Sequence, residues 1–293
     1  PQHALSDNSA MGDAGVVPVC EALPSVGRVL RRLLLRDTGM LEEGDQALAA
    51  ALPALEALEE LDAGYNHTLQ PAGMGTLVAA LPPGLRALGM RGGSSLTDES
   101  SDRTSAMWEA LAERGGAGGC LASLDLWTTR SRTQVSDGMV RQGLQPLAPS
   151  LRTLLLYRNS YLAPAGCWEG LVACLPAMTA LVRLNVGGCN LGDAAVAAVL
   201  RALPPGLEQL ELPSNDAGAM AAEALEGAAL PRLVALDVSF CSGMVRVFAR
   251  ALGSLAQLRV LNMAWGGLTD AVADDLAREA LPRLSSLQVL DLS

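Results

Sequence analysis

Lysine and isoleucine are absent from the 293 residues, and the positive charge is carried by arginine. Without lysine a phosphate-binding loop of the GK[ST] type is excluded. GGAGGC from Gly115 and AGMG from Ala72 share only its glycines. Histidine is limited to His3 and His67, neither close to a cysteine or to a second histidine at ligand spacing, so a zinc site lacks its usual donors. No metal, cofactor or catalytic residue is expected, and the chain reads as a non-enzyme. Adjacent acids such as Glu59 with Glu60 and Asp274 with Asp275 read as solvated charges rather than as a poised acid and base. No apolar run reaches the roughly 18 to 20 residues that a membrane helix needs. The best candidate, LVACLPAMTALV, is broken by Pro176. The expectation is a soluble protein without a membrane span. A net charge of −10 and the lack of a basic stripe disfavour nucleic acid as a partner.

Cysteine pairs are missing too. Cys20, Cys120, Cys167, Cys174, Cys189 and Cys241 include no CxxC and no terminal cluster. They predict reduced, packed thiols and an intracellular compartment, cytoplasmic in the first place. Aromatics make up only 3% of the chain against 50% hydrophobic residues, so the core must be built from leucine, alanine and valine in many small layers. The bias toward alanine, glycine, arginine and leucine points to a GC-rich genome.

What is present is a repeat. LxxLx-aliphatic returns at Leu30, Leu58, Leu85, Leu121, Leu151, Leu181, Leu207, Leu233, Leu258 and Leu287, at steps of 25 to 36 residues. One strand and one helix per copy cannot bury an apolar face alone, so the copies must stack into a solenoid. Between strands, GDAAVAAVLRALPPGL from Gly192 spaces Val196, Val199, Leu200 and Leu203 as a helical stripe, with Asp193 available to cap the first turn. ALPPGL at Ala80 and Ala202 and ALPRL at Ala229 and Ala280 put proline where each helix stops. Three residues past the strand, Thr38, Asn66, Thr129, Asn159, Cys189, Asn215 and Cys241 are small and polar. They are suited to bond the backbone of the neighbouring copy.

Through LRTLLLYRN, LVRLNVGGCNLGD, LEQLELPSN and LVALDVSFC the chain resembles the leucine-rich repeat family, in its ribonuclease-inhibitor-like and cysteine-containing branches. The resemblance implies an α/β solenoid of horseshoe form, with a parallel sheet on the concave face and helices on the convex face. One domain of about ten repeats over residues 1–293 is expected. Both ends read as interior to a longer protein, because terminal copies usually need caps. Proteins of this family serve as interaction scaffolds, ubiquitin-ligase substrate receptors and subunits of large assemblies, ciliary ones among them, and one branch activates the GTPase Ran, giving a nuclear setting. A scaffold binding another protein is the expectation, with the GTPase-activating and substrate-receptor roles as alternatives.

Numbering each strand from its first leucine, positions 3, 5 and 7 point away from the core. Position 5 reads Leu34, Asp62, Gly89, Asp125, Leu155, Asn185, Glu211, Asp237, Asn262 and Asp291, with no basic residue. Positions 7 and 8 hold Tyr65, Trp127, Tyr157, Phe240 and Trp265, five of the nine aromatics in the chain. Asp62, Asp125, Glu211, Asp237 and these five rings form the candidate protein-binding face, and a partner with a basic or amphipathic segment fits it. Arg31, Arg32 and Arg36 face Glu59 and Glu60 across the first two strands, where pairing is expected. The long step after Leu85 predicts a polar projection from Gly92 to Arg103, followed by an inward-packed Trp108.

Overall fold

A computed structural model of the chain describes residues 2–66, 71–92, 101–116, 119–126, 137–159, 168–241 and 246–293. It divides into two compact units, residues 1–153 and 154–293. In both, a three-residue strand alternates with a helix, and each strand lies parallel to the next in chain order. This makes the chain an α/β leucine-rich repeat solenoid.

In the first unit β1 (Gln2–Ala4), β2 (Arg32–Leu34), β3 (Glu60–Asp62), β4 (Ala87–Gly89) and β5 (Ser123–Asp125) align His3, Leu33, Leu61, Leu88 and Leu124. β6 (Thr153–Leu155) straddles the division. In the second unit β7 (Arg183–Asn185), β8 (Gln209–Glu211), β9 (Ala235–Asp237), β10 (Val260–Asn262) and β11 (Val289–Asp291) align Leu184, Leu210, Leu236, Leu261 and Leu290. From β2 to β10 the position-4 leucines are buried while their strand neighbours are exposed or half-buried, except Asp125 in β5, which is buried too. That is the period-two alternation the repeat predicts. Each fully buried leucine contributes about 1.5–3 kcal/mol, so many thin layers do the work of one large core.

The ladder outlives the strands. Position 6 donates to the position-5 carbonyl of the next copy, as in Leu35 N–H to Asp62 O at 2.7 Å and Leu212 N–H to Asp237 O at 2.8 Å. Position 8 donates to the next position-7 carbonyl, as in Asp37 to Gly64 at 2.9 Å and Phe240 to Ala264 at 2.8 Å. The small polar residue that follows closes the turn. Asn66 donates to Leu35 O at 2.8 Å and Ala63 O at 3.0 Å while its Oδ1 accepts from Thr38 and Met40. Asn215 does the same with Val186 O, Leu212 O and Leu191 N–H. Cys189 and Cys241 offer their thiols to Leu156 O and Leu212 O, and Thr129 lies outside the described residues.

Helices α1 (Gly12–Ala22), α2 (Glu42–Ala51), α3 (Pro71–Ala80), α4 (Ser101–Gly116) and α5 (Asp137–Leu144) belong to the first unit. Helices α6 (Trp168–Cys174), α7 (Asp193–Ala202), α8 (Ala219–Gly227), α9 (Arg246–Ala251) and α10 (Asp270–Asp275) belong to the second. Val196, Val199 and Leu200 of α7 are buried as the spacing predicts. Trp108 is buried at 1% exposure, and Gly143 makes room for it: a Cβ there would come within 2.4 Å of the indole.

Three expectations need correction. Proline does not always stop the helix, because at Leu23–Val26, Leu52–Ala54, Leu175–Ala177 and Leu281–Arg283 it opens a 3-10 turn that continues it. In the first turn of a new helical segment the missing N–H costs nothing. Asp193 does not cap its own helix. Its carboxylate accepts the N–H groups of Gly218 at 2.9 Å, Met220 at 2.9 Å and Ala221 at 2.8 Å, and so caps the next helix, α8. Asp13 treats α2 alike through Leu41 and Gly44. Asp275 is not a solvated charge but a buried one, 3.3 Å from Arg250, whereas Glu59 and Glu60 pair with Arg31 and Arg32 as expected. Of the polar projection, residues 93–100 lie outside the description.

Candidate functional site

The candidate face is a set of position-5 side chains flanked by the residues just past each strand. Positions 6 and 8 donate forward along the ladder, so the position-7 N–H points the other way and needs a local acceptor. Asp62 supplies it for Gly64 at 2.9 Å, Asn185 for Gly187 at 2.9 Å, Asp237 for Ser239 at 2.9 Å, and Asn262 for Ala264 at 3.0 Å. This is a short Asx turn, and it explains why Asp and Asn recur there.

The remaining acids of the set are paired. Buried Asp125 accepts from Arg91 Nε at 2.5 Å, and half-buried Glu211 accepts from Arg183 Nε at 2.8 Å and from Asn185 Nδ2. Arg91 and Arg183 were not among the sequence candidates. The signal was legible, since both stand on the preceding copy, Arg183 at position 3 and Arg91 at position 7, and reading those columns beside position 5 finds them. The acidic column is therefore a partly neutralised strip whose carboxylates serve turns and ion pairs.

The rings divide into three groups. Tyr65 is half-buried beneath the Arg36 guanidinium, 4.6 Å from its centroid, and burial raises its phenol. Half-buried Tyr157 lies 5.4 Å from the guanidinium of Arg158. Trp127 lies outside the described residues. Phe240 and Trp265 are different. They are 56% and 72% exposed, and they stack in an offset arrangement, with centroids 5.9 Å apart and planes within 1° of parallel. Glu211, Asp237, Phe240 and Trp265 come together on three neighbouring copies of the second unit, whereas Asp62, Tyr65 and Asp125 belong to the first.

The backbone beneath the pair is unusual. Position 8 is left-handed in copy after copy: Asp37, Tyr65, Gly92, Arg158, Gly188, Ser214, Phe240 and Trp265 have φ between 49° and 72°. Gly92 and Gly188 adopt this at no steric cost, but for bulky residues such as Phe240 and Trp265, both at 55°, it is an outlier costing on the order of 1 kcal/mol or more.

Other chemistry is sparse. Among the described residues no group of His, Cys, Asp and Glu could hold a metal, and no helix is long and apolar enough to cross a membrane. Burial pushes the thiols of Cys20 and Cys241 up to about 11 and that of Cys189 to about 12, which leaves them protonated and inert. Cys174 is buried as well, Cys167 lies outside the description, and Cys120 corrects the packed-thiol expectation by being exposed.

The repeat and its ladder define a leucine-rich repeat protein. Comparison with protein-family models gives no match. The chain is 32% identical over 200 residues to ribonuclease inhibitor of Sus scrofa, an alignment covering 67% of this chain and 40% of that protein. With the repeats, this puts the chain in the leucine-rich repeat family, ribonuclease-inhibitor-like branch. Two solved structures are similar at lower levels. A leucine-rich repeat-containing protein from Legionella pneumophila is 15% identical with a TM-score of 0.43, covering 97% of this chain and all of that one. The tropomodulin C-terminal domain of Caenorhabditis elegans is 12% identical with a TM-score of 0.38, covering 50% of this chain and 93% of that one.

Proposed function

We propose that this chain is a non-enzymatic interaction module that binds another protein through the strand face of its second unit, with Phe240 and Trp265 as the anchor. The observation carrying this reading is the stacked, exposed ring pair. Folding does not ask for rings at those positions: Gly188 takes the same backbone conformation without strain, and more than half of each ring stays in water. Large rings at an interface remove much apolar area on binding, and truncating such an anchor costs about 2 kcal/mol or more. Glu211 and Asp237 lie alongside, and the whole chain carries −10, which favours a partner with a basic or amphipathic segment. A ribonuclease is a second reading, supported by the 32% identity to ribonuclease inhibitor, although the chain spans only 40% of that protein's length.

Affinity capture with the wild type and with Phe240→Ala/Trp265→Ala as baits tests the proposal. A partner retained by the first should be lost by the second, with affinity down at least about thirtyfold. A partner held equally by both would reject the ring pair as the anchor.

A further inference from the structure

The helix exit ALPPGL occurs twice, and the structure fills it once. In the first unit α3 ends at Ala80, and the next carbonyls, Leu81 O and Pro82 O, accept from Arg114 of α4 at 2.9 Å and 2.5 Å. The two carbonyls favour a cation, against the burial that pulls the Arg114 guanidinium below the ordinary arginine range. Carbonyls at a helix C-terminus carry the negative end of the helix dipole, and a guanidinium fork meets two of them at once. Arg114 lines, with Val78, Leu81, Pro83, Ala110 and Glu113, a cavity of about 280 Å³.

In the second unit α7 ends at Ala202 in the same sequence, and Leu203 and Pro204 stand where Leu81 and Pro82 stand. Pro204 O accepts from Leu207 N–H at 3.2 Å just as Pro82 O accepts from Leu85 N–H at 3.1 Å, so the two exits share this turn. The helix packed against each exit also matches, Glu109-Ala110-Leu111 of α4 with Glu223-Ala224-Leu225 of α8. In that alignment Arg114 falls on Ala228. Helix α8 has already ended at Gly227, and the short side chains of Ala228 and Ala229 line the space where Arg114 stands in the first unit. The cavity there is correspondingly larger, about 500 Å³, with walls from Leu200, Leu203, Pro205 and Ala224.

We propose that this second cavity is a binding site for an arginine side chain of a partner protein, which would donate to Leu203 O and Pro204 O as Arg114 donates to their counterparts. The apolar walls suit the methylene stem, and Glu223, 81% exposed at the rim, adds charge complementarity. Arg201 also stands at the rim, 4.0 Å from Glu223, and is the competing internal cation. The site lies on helix exits and does not depend on the ring pair, so either reading can fail alone.

The test is titration of the whole chain with acetyl-Gly-Arg-Gly-amide, with the citrulline peptide and with free arginine. Saturable binding of the arginine peptide is expected, at least about tenfold weaker for citrulline, because the charge-assisted bonds are lost. Ala228→Arg should fill the cavity and abolish binding. Ala229→Trp, at an exposed lining position, should block it even if the first variant fails to fold. Equal binding of citrulline, tighter binding of free arginine, binding kept by both variants, or no binding until Arg201→Gln is introduced would each overturn the proposal, the last by showing that Arg201 occupies the cavity itself.

Discussion

An aspartate at position 5 can serve its own backbone or a ligand, and Asp62 and Asp237 already hold the N–H two residues on. A column of acids in a sequence therefore overstates the free negative charge on the face. The column was legible because position 5 is fixed by the leucines, but its neutralisation was not, since Arg91 and Arg183 act across copies 26 to 36 residues apart in the chain. The rings were legible as exposed positions, while the stacking of Phe240 on Trp265 and the left-handed backbone beneath them needed coordinates.

One buried acid has a consequence for stability. Asp45 in the first turn of α2 is 4% exposed, and its Oδ1 has no partner among the described residues. Burial first, then the charges of Asp13 and Glu42, raise its carboxyl to about 7. In the unfolded chain this group titrates near pH 4, so between about pH 4 and 7 folding binds a proton and stability falls as pH rises. Asp45→Asn should remove that slope and raise the free energy of urea unfolding at pH 8 by on the order of 1–3 kcal/mol. Unfolding curves at pH 5 and pH 8 check it, and an unchanged difference between the two would rule it out.

At the scale of the element, each copy is completed by its neighbour. A helix start needs acceptors for its free N–H groups. The repeat meets this need from outside, with Asp193 of α7 taking three N–H groups at the start of α8. The sequence shows an aspartate in a helix's first turn, which local capping rules assign to that helix. Only stacking reveals that it belongs to the next. Asp193→Ala should cost about 1–2 kcal/mol and loosen α8 rather than α7. Amide hydrogen exchange distinguishes the two: faster exchange confined to α7 would show that the cap is local after all. Helix stops were misread for a related reason, since proline removes an N–H that a first-turn residue does not use. The same Leu-Pro pair therefore ends one helix at Ala202 and opens a 3-10 turn at Leu281.

At the scale of the molecule, the leucine spacing alone predicts the architecture, because stacking is the way a strand-helix pair with one apolar face buries it. Function does not follow in the same way. Residues that build the repeat are shared by proteins with different partners, so partner choice must lie in side chains the fold can do without. Phe240 and Trp265 meet that description, and Phe248, 1% exposed on the adjoining helix, gives a control of the same residue type. The decisive measurement is the thermal melting of Phe240→Ala/Trp265→Ala beside Phe248→Ala and the wild type. Losing the exposed stack should cost about 1 kcal/mol, a shift of no more than about 3 °C, against about 3–5 kcal/mol for the buried phenylalanine. A double variant that melts as early as Phe248→Ala would make the rings part of the core and remove the binding face.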